Sequence, residues 1–200
     1  MATVTTTNIL VGAPDQATSG AIFTAAVGST APTDAITALA GAFTSSGYVG
    51  EDGVTLSGNK SVTKVRDWSK SDVKVLNESV EPEVSFELLE FSEDGLKQAF
   101  GTSAITKVAA NSTHGTQFTI NATGAAQTPK AWAFNMKDGN AKVRLYLPNA
   151  VVSNLPDMTF SAGDVIRIPV TLSVMPDSSG TLYKIFSDDG ITTPRSKSVV

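Results

Sequence analysis

The sequence predicts a mainly β protein: a β-sandwich or barrel with one short α-helix, at about residues 92–100, and extended terminal arms. Three observations predict it. Apolar residues recur with a period of two, most clearly at Trp132, Phe134 and Met136 and again at Val143, Leu145 and Leu147. Asp138-Gly139-Asn140 between those runs is a hairpin turn. One stretch, Ser92–Gly101, has a strong set of helix signals.

The first 46 residues are rich in Ala, Thr, Gly and Ser. Such small side chains bury little area each, so this segment forms no core alone. It reads as an N-terminal arm and first strand region, 1–46, with Gly20–Val27 (GAIFTAAV) as the strand. Two readings compete for residues 33–43. Thr33-Asp34 caps a short helix that places Ile36, Leu39, Ala40 and Phe43 on one face, or the segment is an irregular loop pinned by those residues.

From Gly47 the pattern is that of strands, and a β-sandwich domain is expected over 47–191. GYVGEDGVTL, residues 47–56, reads as a turn between strands, with Gly50 and Gly53 permitting a tight backbone and Tyr48 and Val54 anchoring it. Val62, Lys64, Arg66 and Trp68 alternate, and Val73 and Val75 bracket Lys74. Val84, Phe86 and Leu88 share one strand face, and Pro82 is expected at that strand's beginning. Ser92 is the N-cap of the helix, with Glu93 and Asp94 at the positive end of its dipole. Leu96, Ala99 and Phe100 give its apolar face, and Gly101 offers a left-handed C-cap.

Ile166, Ile168, Val170, Leu172 and Val174 alternate with Arg167, Pro169, Thr171 and Ser173. Pro169 argues for an edge position or a bulge. Pro176–Gly180 turns the chain into Tyr183–Phe186. Residues 192–200 lack a pattern and read as an exposed C-terminal tail.

Composition limits the chemistry. Net charge is −4, which disfavours a nucleic-acid grip. Charged residues are 17% of the chain, below the roughly 25% usual for soluble domains, as fits a surface covered by neighbours or one kept wet by Thr, Ser and Asn. The absence of cysteine removes disulfides, thiolate zinc sites and Cys nucleophiles. The N-terminus lacks the basic region of a signal peptide, and no apolar run approaches a membrane span. The lone histidine, His114, lies in the turn-like NSTHGT with no spacing that supports a triad. Glu51-Asp52-Gly53 and Ser187–Gly190 lack the alternating ligands of an EF-hand, and no phosphate-binding glycine motif occurs. No catalytic, metal or cofactor-binding residue is expected, and no cofactor.

Two polar sets stand out. Glu81, Glu83 and Glu87 share one strand face, with Glu90 on the other. They read as a hydrated acidic surface or as a wall past which a polyanion slides. A glycosidase would instead need two carboxylates opposed across a cleft. The second set is Lys60, Lys64, Arg66 and Lys70 within Ser57–Lys70, either a contact loop or an ordinary solvated hairpin.

The order of motifs resembles a known family. Pro32-Thr33-Asp34-Ala35, then Gly47-Tyr48 with Asp52-Gly53-Val54, then Trp68, Leu88-Leu89-Glu90 and Phe100-Gly101, is similar to major tail proteins of long-tailed, non-contractile bacteriophages, particularly those of actinobacteria. VIRIPVTLSVMPDSSGTLYKIFSDDG matches that family's C-terminal ending. The resemblance spans most of the chain. It implies a tail tube subunit without enzymatic activity, forming stacked hexameric rings whose inner sheets join into a channel for genome DNA. The implied partners are further copies of itself, a tape-measure protein, tail terminator and tail-tip proteins, with DNA passing transiently and no membrane. The implied location is the virion tail, assembled in the host bacterial cytoplasm. Glu81, Glu83 and Glu87 are then expected on the lumen, and Lys60, Lys64, Arg66 and Lys70 between rings. The alternative is another virion or surface β-module, a capsid decoration protein or carbohydrate-binding sandwich. A sugar binder should display exposed aromatics, whereas Trp68 and Trp132 are expected in core or interface packing.

Overall fold

The structure is a computed structural model that describes residues 9–15 and 20–192, with only the backbone of Asn77 and Glu78. The expected C-terminal tail lies, past Thr192, outside the described residues. The chain is mainly β, as the periodicity indicates. Its strands are β1 (Ile22–Ala26), β2 (Thr44–Ser45), β3 (Val49–Arg66), β4 (Asp72–Leu88), β5 (Ile105–Val108), β6 (Gln117–Ile120), β7 (Lys130–Asp138), β8 (Ala141–Val152), β9 (Ile168–Val174) and β10 (Lys184–Asp188), with one helix, α1 (Glu93–Phe100), between β4 and β5.

The main sheet runs β2-β1-β7-β8-β9-β4-β3, and all its pairings are antiparallel. β8 is the joint. One of its edges pairs with β7, from Asp138↔Ala141 to Lys130↔Ala150. The other is divided: Lys142–Tyr146 pair with β10, and Ala150–Val152 pair with β9. The sheet therefore parts into two leaves, consistent with a sandwich, and the core fills the space between them.

That core follows from the alternation. Val84, Phe86 and Leu88 on β4 and Ile168, Val170, Leu172 and Val174 on β9 are buried from one leaf. Trp132, Phe134, Leu145 and Leu147 are buried from the other. Phe86 links them, its ring centroid 5.7 Å from that of Trp132 and 5.5 Å from that of Phe134. The β7–β8 hairpin closes at Gly139-Asn140. Gly139 has φ 57° and Asn140 does not have positive φ, the sign pattern of a type II′ turn.

Helix α1 begins as its sequence signals: Ser92 Oγ accepts from Gly95 N at 3.3 Å, and Leu96 and Ala99 are buried. Its end differs. Gly101 has φ 92° and ψ 149°, a glycine-only extended conformation rather than the left-handed cap, because the chain passes directly into a 3-10 turn at Thr102–Ala104.

Of the two readings of residues 33–43 the structure has the irregular loop, not the helix, and three other expectations are corrected. Asp34 caps a turn by accepting from Ile36 N and Thr37 N, but the carbonyls of Asp34 and Thr37 accept from buried Arg144 Nη1 at 2.8 and 2.9 Å. A helix would have used those carbonyls for its own N–H groups. Leu39 and Phe43 pin the loop over Ala131, Ala133 and Tyr146, while Ile36 is exposed. GYVGEDGVTL is a bulge within the β3–β4 ladder, not a turn: the register passes from Val49↔Leu88 to Val54↔Phe86, leaving residues 50–53 opposite Glu87 alone. Val54 packs on the core, but Tyr48 is exposed. Pro82 is mid-strand in β4. It is tolerated because the β9 ladder starts only at Glu83↔Ser173, so no strand on that side needs its missing N–H. Trp68 lies beyond the end of β3, fully exposed, and is not core.

Phe86 gives this packing its first test: Phe86→Ala should cost about 3–5 kcal/mol in denaturant unfolding. A loss below about 1 kcal/mol would show that the leaves do not depend on this ring. Glu93 gives the second. It ties α1 to β5 through Lys107 and pairs within the helix with Lys97, both at 2.6 Å. The hydrogen bond from Lys107, then that from Lys97, holds its pKa at about 2, below the ordinary 4.5. A depressed carboxylate stabilises fully above its unfolded pKa, and the gain is lost as pH falls through the folded value. The native protein should therefore be more stable than Glu93→Gln at neutral pH, with the gap closing from about pH 4.5 to about 2. A gap that does not change with pH would remove the ion pairs as its cause.

Candidate assembly surfaces

Along β4, Pro82, Val84, Phe86 and Leu88 point inward, so Glu81, Glu83, Ser85 and Glu87 point out. The structure thus brings the three glutamates to one outer face. Register fills in the rest of that face. Asn59, Ser57 and Thr55 of β3 stand beside Glu81, Glu83 and Ser85. Ser173, Thr171 and Pro169 of β9 stand on the other side, beside Glu83, Ser85 and Glu87. The outer face of the β3-β4-β9 leaf is therefore carboxylate and hydroxyl. One cation touches its end: Arg167, whose Nη1 lies 3.3 Å from Glu87 Oε2 and which also approaches Asp164 and Glu51 at 3.7 and 3.9 Å. Sequence reading missed this node, because Arg167 and Glu87 are joined only by strand register.

The same strand pair continues beyond the core as a hairpin. From Ser57 to Arg66, β3 projects by roughly 30 Å at the usual strand rise. Leu56 packs on the core, so Lys60, Val62, Lys64 and Arg66 lie on the extension of the core-facing side. Val80 and Val75 pair with Lys60 and Lys64 there. No second layer among the described residues covers them: Val62, Val75 and Val80 are all exposed. Lys64 and Arg66 meet Asp72 at 2.8 and 2.9 Å. Those two contacts, Lys64 first, hold the Asp72 carboxyl below its ordinary range. Of the four sequence-chosen cations, Lys60, Lys64 and Arg66 thus share a face, and Lys70 is in the tip. The hairpin also includes Lys74, Val75, Leu76 and Val80 on the return strand, which the sequence-defined segment Ser57–Lys70 leaves out. The alternation of residues 72–75 was the available signal.

The tip is a closed unit. Asp67 Oδ1 accepts from Ser71 N at 2.9 Å and Ser69 Oγ at 2.7 Å, and Asp67 N donates to Ser71 O. Lys70 adopts φ 65°. Asp177–Thr181 repeats this scheme, with Ser179 and Thr181 bound to Asp177 and Gly180 at φ 80°. Trp68 stands outside this ring of bonds, in solvent.

The other candidates do not converge. His114 Nδ1 meets Gly115 O at 2.7 Å and Nε2 meets Asn111 Nδ2 at 2.9 Å, in an exposed turn. Among the described residues no group of three or more His, Cys, Asp or Glu side chains is placed to hold a metal ion. A cavity of about 330 Å³ lies under the 35–43 loop, and one of about 310 Å³ is lined by Phe100–Ala104 and Ala125–Lys130. Neither aligns a nucleophile with a base. No helix among the described residues is long and apolar enough to cross a membrane.

Among the described residues the charged side chains thus gather on extended surfaces, the acidic leaf and the projecting hairpin. No curated protein matches the chain. A family model described as phage tail tube protein matches residues 12–197. With that match over nearly its whole length, and a β-rich fold built around one long projecting hairpin, the chain belongs to the phage tail tube protein family.

Proposed function

We propose that this structural protein of the virion tail is the major tail tube subunit, closing into hexameric rings that stack into a channel for genome DNA. The observation that carries the proposal is the outer face of the β3-β4-β9 leaf, where carboxylates and hydroxyls stand and the one cation at its end, Arg167, is already paired with acids. A basic wall would bind phosphates by releasing counterions, and would hold the DNA. Fixed negative charge with hydrated hydroxyls repels the polyanion and leaves it mobile. Glu81, Glu83 and Glu87 are the lumen carboxylates in this proposal.

The long β3 strand supports ring closure. It ends the sheet, with β4 on one side and no further strand beside it among the described residues. Pairing with a neighbouring copy would remove that exposed edge, as closing a barrel does. Six copies per ring is what the resemblance of the sequence implies. The hairpin bearing Lys60, Lys64, Arg66 and Lys70 is assigned to contacts between rings. A two-stranded ribbon exposed on both faces is marginal alone, so a covering partner accounts for its length. The tube encloses a tape-measure protein during assembly in the host cytoplasm and ends on terminator and tail-tip proteins. It performs no catalysis.

Negative-stain microscopy of the purified protein should show six-fold rings, or tubes tens of ångströms wide. A species that stays monomeric at every concentration would overturn the proposal. The lumen assignment has its own test. Replacing Glu81 and Glu83 together with Lys should leave tubes intact and impair DNA ejection, while the matching Gln pair retains it. Unchanged infectivity in the Lys pair would place these residues elsewhere.

A further inference from the structure

We infer that the loop between β8 and β9, residues 154–167, together with the bulge at residues 50–53, receives the β3/β4 hairpin of a second copy stacked head to tail. The inference rests on the tube reading and names the receiving surface, which that reading leaves open.

The two surfaces are chemical complements. The hairpin presents Lys60, Lys64 and Arg66 with exposed Val62, Val75 and Val80 on one face, Lys74 with exposed Val65 and Leu76 on the other, and Lys70 in the tip, against Asp67 and Asp72. The loop and bulge present Glu51, Asp52, Asp157 and Asp164, with Leu155, Phe160, Val165 and Ile166 exposed. Arg167 is the one cation of the receiving segments, and Glu51, Glu87 and Asp164 already surround it. Scattered apolar side chains on a surface are ordinary, but two apolar patches carrying opposite charge are matched for each other.

The two surfaces also lie at opposite ends of the same strand pair. The hairpin ends at Arg66↔Asp72. The receiving end is fixed by Leu88, which pairs with Val49 on one side and Ile168 on the other. The 154–167 loop runs directly into Ile168, and the bulge comes directly after Val49. A donor at one end and its complement at the other cannot satisfy each other within one copy, and copies joined end to end along the strand direction bring them together. They generate a heterologous contact that repeats along the strand direction.

The receiving loop is held for side-chain contact. Asn154 closes its start by accepting from Thr171 N at 2.7 Å and donating to Pro169 O at 3.1 Å. That side chain occupies the β9 edge where a further strand would pair. Arg167 fixes the other end. Between them Leu155, Phe160, Val165 and Ile166 are exposed on a loop tethered at both limits, while Met158 packs on the core.

The test mixes two charge-reversed proteins. One is Lys60→Glu with Lys74→Glu; the other is Asp52→Lys with Asp157→Lys. Each should form rings but no tubes when alone, as seen by negative stain. Mixed in equal amounts they should grow tubes of alternating rings, because every junction then pairs opposite charges. Tubes from either variant alone, or no recovery on mixing, would overturn the inference. Absence of both rings and tubes from the unmodified protein would overturn the tube reading itself, and this inference with it.

Discussion

The structure depends on the divided edge of β8. A strand has two hydrogen-bonding edges, and here one serves β7 while the other serves β10 and then β9. That division lets one continuous ladder fold into two leaves, and between the two pairings Asn149 O accepts from Met175 N at 2.9 Å. Leu145, Leu147 and Ala150 line the joint from inside, so the residues that open the leaves also fill the space between them. The leaf that β9 begins then carries β4 and β3, and with them the acidic face and the projecting hairpin.

Much of this was legible because it is local. The β7–β8 hairpin, the Ser92-capped helix and the inward sets of β4 and β9 are written as period, cap and turn within a dozen residues. The grouping of Glu81, Glu83 and Glu87 on one face follows from alternation alone. What was not legible was decided by distant partners. Arg144 takes the carbonyls of Asp34 and Thr37 across more than a hundred residues and so displaces a helix that the local signals allowed. Pro82 looks like a strand start until one knows where β9 begins to pair. The glycines and acids of residues 50–53 resemble a turn, and only the register of β3 against β4 shows a bulge. The hairpin's cations were visible, but its return strand was not recognised as the same projection.

The acidic leaf and the basic hairpin are two uses of one strand pair. Inside the domain, β3 and β4 have a core on one side and present polar groups on the other. Past Gly58 and Pro82 the core ends, yet the ribbon continues, and the side that was buried emerges with lysines between its valines. The change from Leu56 and Val84 to Lys60 and Val80 marks the boundary between what folding covers and what a neighbour is left to cover. A family built to polymerise requires such a remainder, because a domain that satisfied every face would have no reason to associate.

The loop at Asp67–Ser71 holds itself shut with its own bonds and borrows nothing from the body of the domain. Its scheme recurs at Asp177–Thr181, closing an unrelated turn. A tip that is complete in itself makes the ribbon behind it a gauge of adjustable length. Two residues removed from each strand would bring Trp68 back by about 7 Å with every side chain still facing the same way. One residue removed from each would reverse all the faces beyond the cut. Reach in this chain is therefore quantised in pairs, and a spacing between copies that is set by the ribbon changes in steps rather than continuously.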